Sequence, residues 1–256
     1  MTLLHSRTAK ILKEEPQNEH SNQRFRQNHR RPAGQVGILA NDTIEVHILS
    51  YGATIQQLLV PDRKGNKVDV VLGYPTVQDY ELNTCFLGAV VGRYANRIGG
   101  SKFTLYEEEY HVTPNEGKNC LHSGLHGFDK TVFDMGFEGD DTLVLTAASP
   151  DGTDGFPGNA ELEVRYSLAG AGLMIQYTLT TDAPTVANIT NHSYFNLNGH
   201  ASGSVLGHRL SLAAPAYLET DAGSIPTGAR SLWQAPRWTL PRKRPLAAIS
   251  TPITRP

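Results

Sequence analysis

The stretch that decides the fold class is Leu162-Glu163-Val164-Arg165-Tyr166-Ser167-Leu168, in which apolar and polar side chains strictly alternate. Successive side chains of a β-strand point to opposite faces, so the pattern predicts a strand with one buried face and one wet face. The run Ile44–Ile48 alternates in the same way, with Glu45 and His47 between the apolar residues. These two stretches therefore predict half-buried strands.

Further strand-like runs recur along the chain, separated by turn-forming dipeptides such as Pro61-Asp62, Asp151-Gly152 and Asp154-Gly155. Many short strands with this punctuation, and no long amphipathic helix, indicate an all-β, antiparallel architecture. The further runs are Thr54–Val60, Val68–Leu72, Phe86–Val91, Lys102–Tyr106, Tyr110–Thr113, Thr142–Ala147, Met174–Thr180, Val186–Thr190 and Arg209–Leu212.

Composition divides the 256 residues into three segments. Residues 1–34 are polar, with seven Lys/Arg and three Asp/Glu, and are predicted to be disordered. Residues 35–228 carry the strand pattern and are predicted to form one domain. Residues 229–256 form a basic tail with six Lys/Arg, no acid and five prolines. The middle segment is left with a net charge of -12, which argues against nucleic-acid binding.

Membrane and disulfide signals are also missing from the sequence. No apolar run approaches the length needed to span a bilayer, and the first residues lack an apolar signal-peptide core. The two cysteines, Cys85 and Cys120, give no disulfide framework, and Cys120 is expected to be a small buried hydrophobe. We expect a cytoplasmic protein, monomeric or dimeric, with no membrane or nucleic-acid partner.

Two histidines lie in polar stretches suited to a hydroxyl-rich ligand. His192 lies in Thr190-Asn191-His192-Ser193-Tyr194-Phe195-Asn196-Leu197, where Asn, Ser and Tyr side chains supply donors and acceptors. His122 lies in Leu121-His122-Ser123-Gly124, a glycine-bearing loop that can approach a ligand closely. Imidazoles exchange protons near neutral pH, so both histidines are candidate acid–base groups.

A guanidinium is the third candidate group. The neighbours Asn96 and Arg97 could bind adjacent sugar hydroxyls, because a guanidinium offers a fixed fork of donors. Arg93 would face the same side of a strand as Arg97, so the sequence leaves the choice between them open. His122 and His126 are four residues apart, but the zinc motif of that spacing needs a helix and a glutamate. We therefore expect no metal and no cofactor.

Taken in order, these clusters resemble the aldose 1-epimerase (galactose mutarotase) family over about residues 35–228. The resemblance implies a large antiparallel β-sandwich, often called a supersandwich. It also implies an isomerase of carbohydrate metabolism that interconverts the α and β anomers of hexoses such as galactose and glucose without a cofactor. Further matching stretches are Gly92–Ile98, Leu121–Asp129, Tyr51–Ile55, Pro61–Arg63, Leu72–Tyr74, Ser149–Gly152, Gly155–Gly158 and Ile225–Gly228.

By motif match, the resemblance implies a role for five residues. His192 would be the proton donor to the ring oxygen, and His122 would be the second active-site histidine. Asn96 and Arg97 would bind the substrate, and Tyr194 would line the pocket. The resemblance also places a serine, Ser123, where the family usually has glycine.

The family's substrate-binding aspartate and its general-base glutamate belong to the C-terminal third, and we find no counterpart for either in this chain. We therefore expect a C-terminal truncation, from a frameshift or mis-spliced gene near residue 229, an incomplete sandwich and impaired catalysis. Two alternatives are open. One is a non-catalytic carbohydrate-binding protein on the same scaffold, and the other is a protein similar to hexose-6-phosphate epimerases.

Overall fold

A computed structural model describes residues 8–11, 34–82, 84–210, 214–232 and 244–245. The chain divides into two compact units, the first ending at Phe195 and the second beginning at Asn196. The domain predicted over 35–228 therefore extends across both units.

The first unit consists of strands, three single turns of 3₁₀ helix and one short helix, α1 (Val77–Glu81). The strands are β1 (Thr8–Ile11), β2 (Val36–Ala40), β3 (Glu45–Leu49), β4 (Thr54–Pro61), β5 (Lys67–Asp69), β6 (Val90–Val91), β7 (Arg97–Ile98), β8 (Lys102–Leu105), β9 (Glu108–His111), β10 (Cys120–Leu121), β11 (Asp134–Glu138), β12 (Thr142–Ser149), β13 (Ala160–Ala169), β14 (Gly172–Thr181) and β15 (Thr190–Asn191).

Strands β1 to β5 form a five-stranded antiparallel sheet in sequence order. The alternation predicted for β3 is present, because Val46 and Ile48 are fully buried while Glu45 and His47 are half-buried. β1 pairs with β2 from Thr8↔Ala40 to Ile11↔Gly37. It is a strand inside the segment predicted to be disordered. Residues 1–7 and 12–33 lie outside the described residues.

Strands β11 to β14 form a second, four-stranded antiparallel sheet, also in sequence order. The decisive stretch forms the middle of β13, and Leu162, Val164 and Tyr166 along it are fully buried. The intervening polar residues are half-buried on the opposite face, as the alternation predicts.

The two sheets pack face to face around one apolar core. Leu39, Val46 and Ile48 from the first sheet meet Leu145 and Val164 from the second in this core. Burying an aliphatic side chain of this size contributes about 1.5–3 kcal/mol each, so the shared core holds the two layers together. The all-β sandwich predicted from the sequence is confirmed for the first unit.

Two very short antiparallel ladders position the polar clusters. β6 pairs with β15 through Val91↔Thr190 and Val90↔Asn191. β7 pairs with β10 through Ile98↔Cys120 and Arg97↔Leu121. Each ladder joins segments that are far apart in sequence, and each ends next to a predicted histidine. A hairpin of β8 and β9 lies between the paired segments in sequence, close to its predicted position.

Some predicted strands were longer than the observed ones, and some observed elements were not predicted. Of the run Phe86–Val91 only β6 is a strand, because Phe86 has a φ of +57° and Gly88 a φ of +68°, which extended chains do not adopt. Of the run Val186–Thr190 only the last residue belongs to a strand. In the first unit, α1 and strands β1, β2, β7, β10 and β11 were not predicted from the sequence.

The second unit contains β16 (Arg209–Leu210), β17 (Ala216–Thr220), β18 (Pro226–Leu232) and β19 (Arg244–Pro245). β17 pairs with β18 and β16 with β19. Residues 229–232 and 244–245 of the predicted basic tail are therefore strand, and the rest of the tail lies outside the described residues. Within the described ranges, no helix has the length and apolar character required to cross a bilayer.

Candidate active site

The two predicted histidines lie together. The rings of His122 and His192 are 5.2 Å apart between centroids and are oriented edge to face, at 87°. His192 follows β15 directly, and its backbone is held by two bonds, from its N–H to the Ala89 carbonyl (2.8 Å) and from the Gly88 N–H to its own carbonyl (3.2 Å). The ladder of β6 and β15, with these two bonds, thus fixes the backbone position of His192.

His122 follows β10 in a sharply turned loop. His122 has a φ of +52° and Ser123 a φ of +71°, in the left-handed region that favours glycine. Ser123 is buried, and its hydroxyl accepts a bond from the Tyr94 N–H (2.7 Å) and lies 3.2 Å from the Tyr94 carbonyl, to which it donates. These two bonds offset the strain of a non-glycine residue at a position where glycine was expected.

A buried carboxylate supports the same loop from beneath. Asp154 accepts bonds from the N–H groups of Leu125 (3.1 Å) and His126 (2.7 Å). The His126 ring is exposed and lies 3.3 Å from the same carboxylate, not beside His122. His122 and His126 therefore do not face a common ligand, despite their spacing of four residues.

The environment of His122 fixes its chemical state. The Asn96 N–H donates to His122 Nδ1 at 3.0 Å, so Nδ1 is the acceptor and the proton of the neutral ring lies on Nε2. Burial, with smaller contributions from His192 and Arg97, lowers the pKa of His122 to about 4. At neutral pH His122 is therefore an uncharged hydrogen-bond donor at Nε2.

Arg97 is held by a two-pronged ion pair. Its Nε donates to Glu116 Oε2 at 2.6 Å and its Nη2 to Glu116 Oε1 at 2.7 Å, while Nη1 lies 3.3 Å from Asn96 Oδ1. The bond from Arg97 holds the pKa of Glu116 below its ordinary value. The guanidinium is thereby oriented next to Asn96, which also binds His122.

The two arginines have different surroundings. Arg93 is only 2% exposed and donates to the Ser149 hydroxyl (3.0 Å) and to the carbonyls of Ser149 (2.6 Å), Pro150 (2.9 Å) and Pro157 (2.9 Å). These four hydrogen bonds of the Arg93 guanidinium stabilise the fold. Arg97 is the guanidinium beside the histidines.

Aromatic rings complete the arrangement. Phe86 contacts both imidazoles, with ring centroids 4.6 Å from His122 and 5.7 Å from His192. Tyr194 lies 5.2 Å from His192 and is exposed. We call the set Asn96, Arg97, His122, His192, Tyr194 and Phe86 the imidazole cluster.

Phe86 and Glu116 were not among the candidate site residues predicted from the sequence. Phe86 was assigned to a strand, although Gly88 nearby was a turn signal. Nothing in the sequence around Glu116 indicates its pairing with Arg97. Cys120 agrees with its expected role, since it is fully buried and burial raises the pKa of its thiol to about 11.

Chemically, the imidazole cluster combines an oriented guanidinium, a neutral imidazole donor, a second imidazole and two aromatic faces. Such a set can hold hydroxyl groups and transfer a proton. In the part of the chain that the structure describes, no group of three or more His, Cys, Asp and Glu side chains could hold a metal ion.

A cavity of about 750 Å³ lies elsewhere in the first unit, and no member of the imidazole cluster lines it. Its lining residues are Gln35, Ser50, His126, Thr131, Val132, Phe133, Asp134, Met135, Ala148, Ser149, Pro150 and Thr153.

Comparison with known proteins relates the sequence of this chain to one family. The model of the aldose 1-epimerase family matches residues 36–248. Galactose mutarotase of Rattus norvegicus is 42% identical over 190 residues, which cover 74% of this chain and 55% of that protein. Aldose 1-epimerase of Escherichia coli K12 is 38% identical over 187 residues, covering 73% of this chain and 54% of that protein. The chain spans about half the length of the curated relatives it matches.

Solved structures agree in fold. The GalM/aldose epimerase homologue of C. elegans superimposes with a TM-score of 0.78 at 30% identity, over 84% of this chain and 67% of that one. Galactose 1-epimerase of Lactobacillus acidophilus superimposes with a TM-score of 0.78 at 25% identity, over 96% of this chain and 69% of that one.

Proposed function

The chain belongs to the aldose 1-epimerase family, and we propose on that basis that it binds a hexose at the imidazole cluster and interconverts its anomers. The observation that carries the proposal is the edge-to-face pair of His122 and His192, 5.2 Å apart, beside the oriented Arg97. Anomer interconversion requires ring opening, in which the ring oxygen gains a proton and the anomeric hydroxyl loses one.

In this proposal His192 is the proton donor to the ring oxygen. His122 cannot share that role at neutral pH, because its pKa of about 4 keeps it uncharged. Its Nε2–H instead donates a hydrogen bond to a sugar oxygen, and its position 5.2 Å from His192 directs that oxygen toward the acid. The two imidazoles thus have different roles in one site.

Arg97 and Asn96 bind the hydroxyl groups of the sugar. Glu116 accepts hydrogen bonds from Nε and Nη2 of Arg97. Arg97 Nη1 is the guanidinium nitrogen directed toward Asn96. The exposed ring of Tyr194 and the half-buried ring of Phe86 offer apolar faces to the C–H side of a pyranose.

No residue of this chain has yet been assigned as the general base of the reaction. In the family a carboxylate removes the proton of the anomeric hydroxyl, and we find no counterpart in this sequence. Glu116 is a poor substitute, because the ion pair with Arg97 lowers its pKa and occupies both of its oxygens. A positioned base contributes about 10²–10⁴-fold, so we propose that turnover is slower than in a complete site by that order.

A non-catalytic sugar-binding protein is therefore the second candidate function. Sugar phosphates are less favoured, because the Arg97 guanidinium is already neutralised by Glu116. In Glu116→Gln that neutralisation is lost, and we expect the affinity for galactose 6-phosphate to rise relative to that for galactose. We also propose a reducing compartment such as the cytoplasm, because the chain has only two cysteines and they give no disulfide framework.

Polarimetry of fresh α-D-galactose, together with calorimetric titration of galactose, tests the proposal. We expect measurable binding with slow mutarotation, and the loss of both in His122→Ala. His192→Ala should lose mutarotation while keeping part of the binding. His126→Ala is the matched control, because that exposed ring lies in the same loop but outside the imidazole cluster. If His126→Ala and His122→Ala behave alike, or if no variant changes binding, the proposed site is wrong.

A further inference from the structure

The last strand of the second sheet, β14, has a free edge. β14 pairs with β13 over ten residues, from Ala160↔Thr181 to Ala169↔Gly172. In the sheets formed by the described residues, β14 is the terminal strand and no other strand is bonded to it. A long strand with an unpaired edge is a template for pairing with another strand.

The alternation of hydrogen bonds shows which residues face that edge. The N–H of Leu168 bonds to Asp141 on the β12 side, so the residues of β13 that bond to β14 are its neighbours Ser167 and Ala169. Their partners on β14 are Met174 and Gly172, so the even-numbered residues of β14 direct their N–H and C=O groups toward β13. The odd-numbered residues therefore direct their N–H and C=O groups outward.

The side chains on this edge are apolar and incompletely covered. Leu173, Ile175, Tyr177 and Leu179 pack against the core but are only half-buried. Their neighbours on β13, such as Leu162 and Val164, are fully buried. The apolar residues of β14 are therefore less completely buried than those of the neighbouring strand β13.

Devices that normally block an edge are absent from β14. The strand Gly172–Thr181 contains no charged residue and no proline, and its pairing with β13 shows no bulge. Native proteins usually place lysine, proline or a bulge on such an edge to prevent pairing. An uncharged strand can also meet its own copy without repulsion.

The sequence of β14 is complementary to itself in the antiparallel direction. If Gln176 lies opposite Gln176 of a second copy, Ile175 lies opposite Tyr177 and Leu173 opposite Leu179. Opposite residues share a face, so apolar residues meet apolar residues on the core side. In this register the outward-facing N–H and C=O groups also meet, giving roughly eight main-chain hydrogen bonds.

We propose that two copies of this chain associate through β14, in antiparallel register about Gln176, to form one continuous eight-stranded sheet. The second copy would cover the half-buried apolar row and bond the free edge. A two-fold symmetric contact of this kind closes on itself, so it yields a dimer and not a filament.

A cysteine pair tests the register. Gln176 would be a non-hydrogen-bonded pair with its own copy, with Cα atoms about 4.5 Å apart, which is within disulfide range. We expect Gln176→Cys, in a Cys85→Ser background, to form a disulfide-linked dimer under mild oxidation. Met174→Cys is the control, because Met174 lies opposite Thr178 and its own copy is about 14 Å away. Equal cross-linking of both variants overturns the register.

A charge pair tests the interface itself. Sedimentation should give wild type twice the 28.0 kDa mass of the chain, and Gln176→Lys/Thr178→Lys should give the monomer mass. The control is Leu82→Lys/Tyr106→Lys, which adds the same charge at two highly exposed residues elsewhere and should stay dimeric. A monomeric wild type, an open-ended assembly, or equal dissociation of both double variants overturns the proposal. Circular dichroism of each variant checks that it is folded. If a lysine variant is unfolded, the cross-linking of the cysteine variants decides the proposal.

Discussion

Replacing Arg93 and Arg97 separately by methionine should separate folding from ligand binding. Arg93 is 2% exposed and donates four bonds, one to a hydroxyl and three to carbonyls. Methionine keeps much of the volume but leaves these acceptors, two buried at Ser149 and two part-buried at Pro150 and Pro157, without donors, and each buried loss costs about 1–3 kcal/mol. Partial relaxation reduces the sum, so we expect about 3–5 kcal/mol less stability for Arg93→Met.

Arg97→Met should behave in the opposite way. The Arg97–Glu116 pair is partly solvent-exposed, with 25% and 39% of the two side chains accessible, and such pairs contribute about 0.2–1 kcal/mol. We therefore expect nearly unchanged stability and a loss of galactose binding.

Urea unfolding followed by circular dichroism, with galactose titration of each folded variant, measures both effects. Because Arg93→Met removes a large share of a typical domain's stability, Ser149→Ala serves as a milder companion that removes one bond and should cost about 1 kcal/mol. The assignment of roles fails if Arg97→Met is the less stable variant, or if Arg93→Met stays as stable as wild type.

Three further predictions concern the loop of His122 and its surroundings. Burial raises the pKa of Asp129 to about 6, so the folded state loses stability as the pH rises from about 4 through 6, and Asp129→Asn should gain about 1–2 kcal/mol relative to wild type between pH 5 and pH 8 in urea unfolding. Ser123→Ala should cost about 1–2 kcal/mol, because both bonds to Tyr94 are lost while the left-handed backbone stays strained, and Ser123→Gly should cost less in the same assay. The His122 ring should titrate near pH 4 by NMR, and the protein should lose stability as the pH falls from about 6.5 toward 4, because the unfolded imidazole takes up a proton first; a ring that titrates near 6.5 would contradict this.

The long strands could be predicted from the sequence because their signal is local. β12, β13 and β14 alternate over eight to ten residues, and the predicted runs lie inside the observed strands. The two-residue strands β6 and β7 have no such signal. They exist because a partner far along the chain bonds to them, and that partner cannot be read from the local pattern.

The candidate site likewise contains residues that could be predicted from the sequence and contacts that could not. His122, His192, Asn96 and Arg97 lie in clusters whose residue types suggested sugar chemistry before their proximity was known. The contacts of Phe86 and Glu116 could not be predicted, because Phe86 reaches the imidazoles through a left-handed backbone turn and Glu116 reaches Arg97 across nineteen residues. The buried role of Arg93 was equally hidden, since periodicity gives the side of a strand but not the depth of a side chain.

The neutral state of His122 has a consequence for how binding and turnover are linked. Burial and the neighbouring His192 keep His122 uncharged at neutral pH, and the Asn96 N–H fixes its hydrogen-bond donor at Nε2. In the proposed mechanism His192 is therefore the proton donor. The proposed binding groups and the proposed acid lie within the first unit, held by the ladders of β6 with β15 and β7 with β10. We therefore expect His122→Ala and Arg97→Met to lower the sugar affinity, and turnover with it, whereas His192→Ala should lower the rate of anomer exchange more than the affinity.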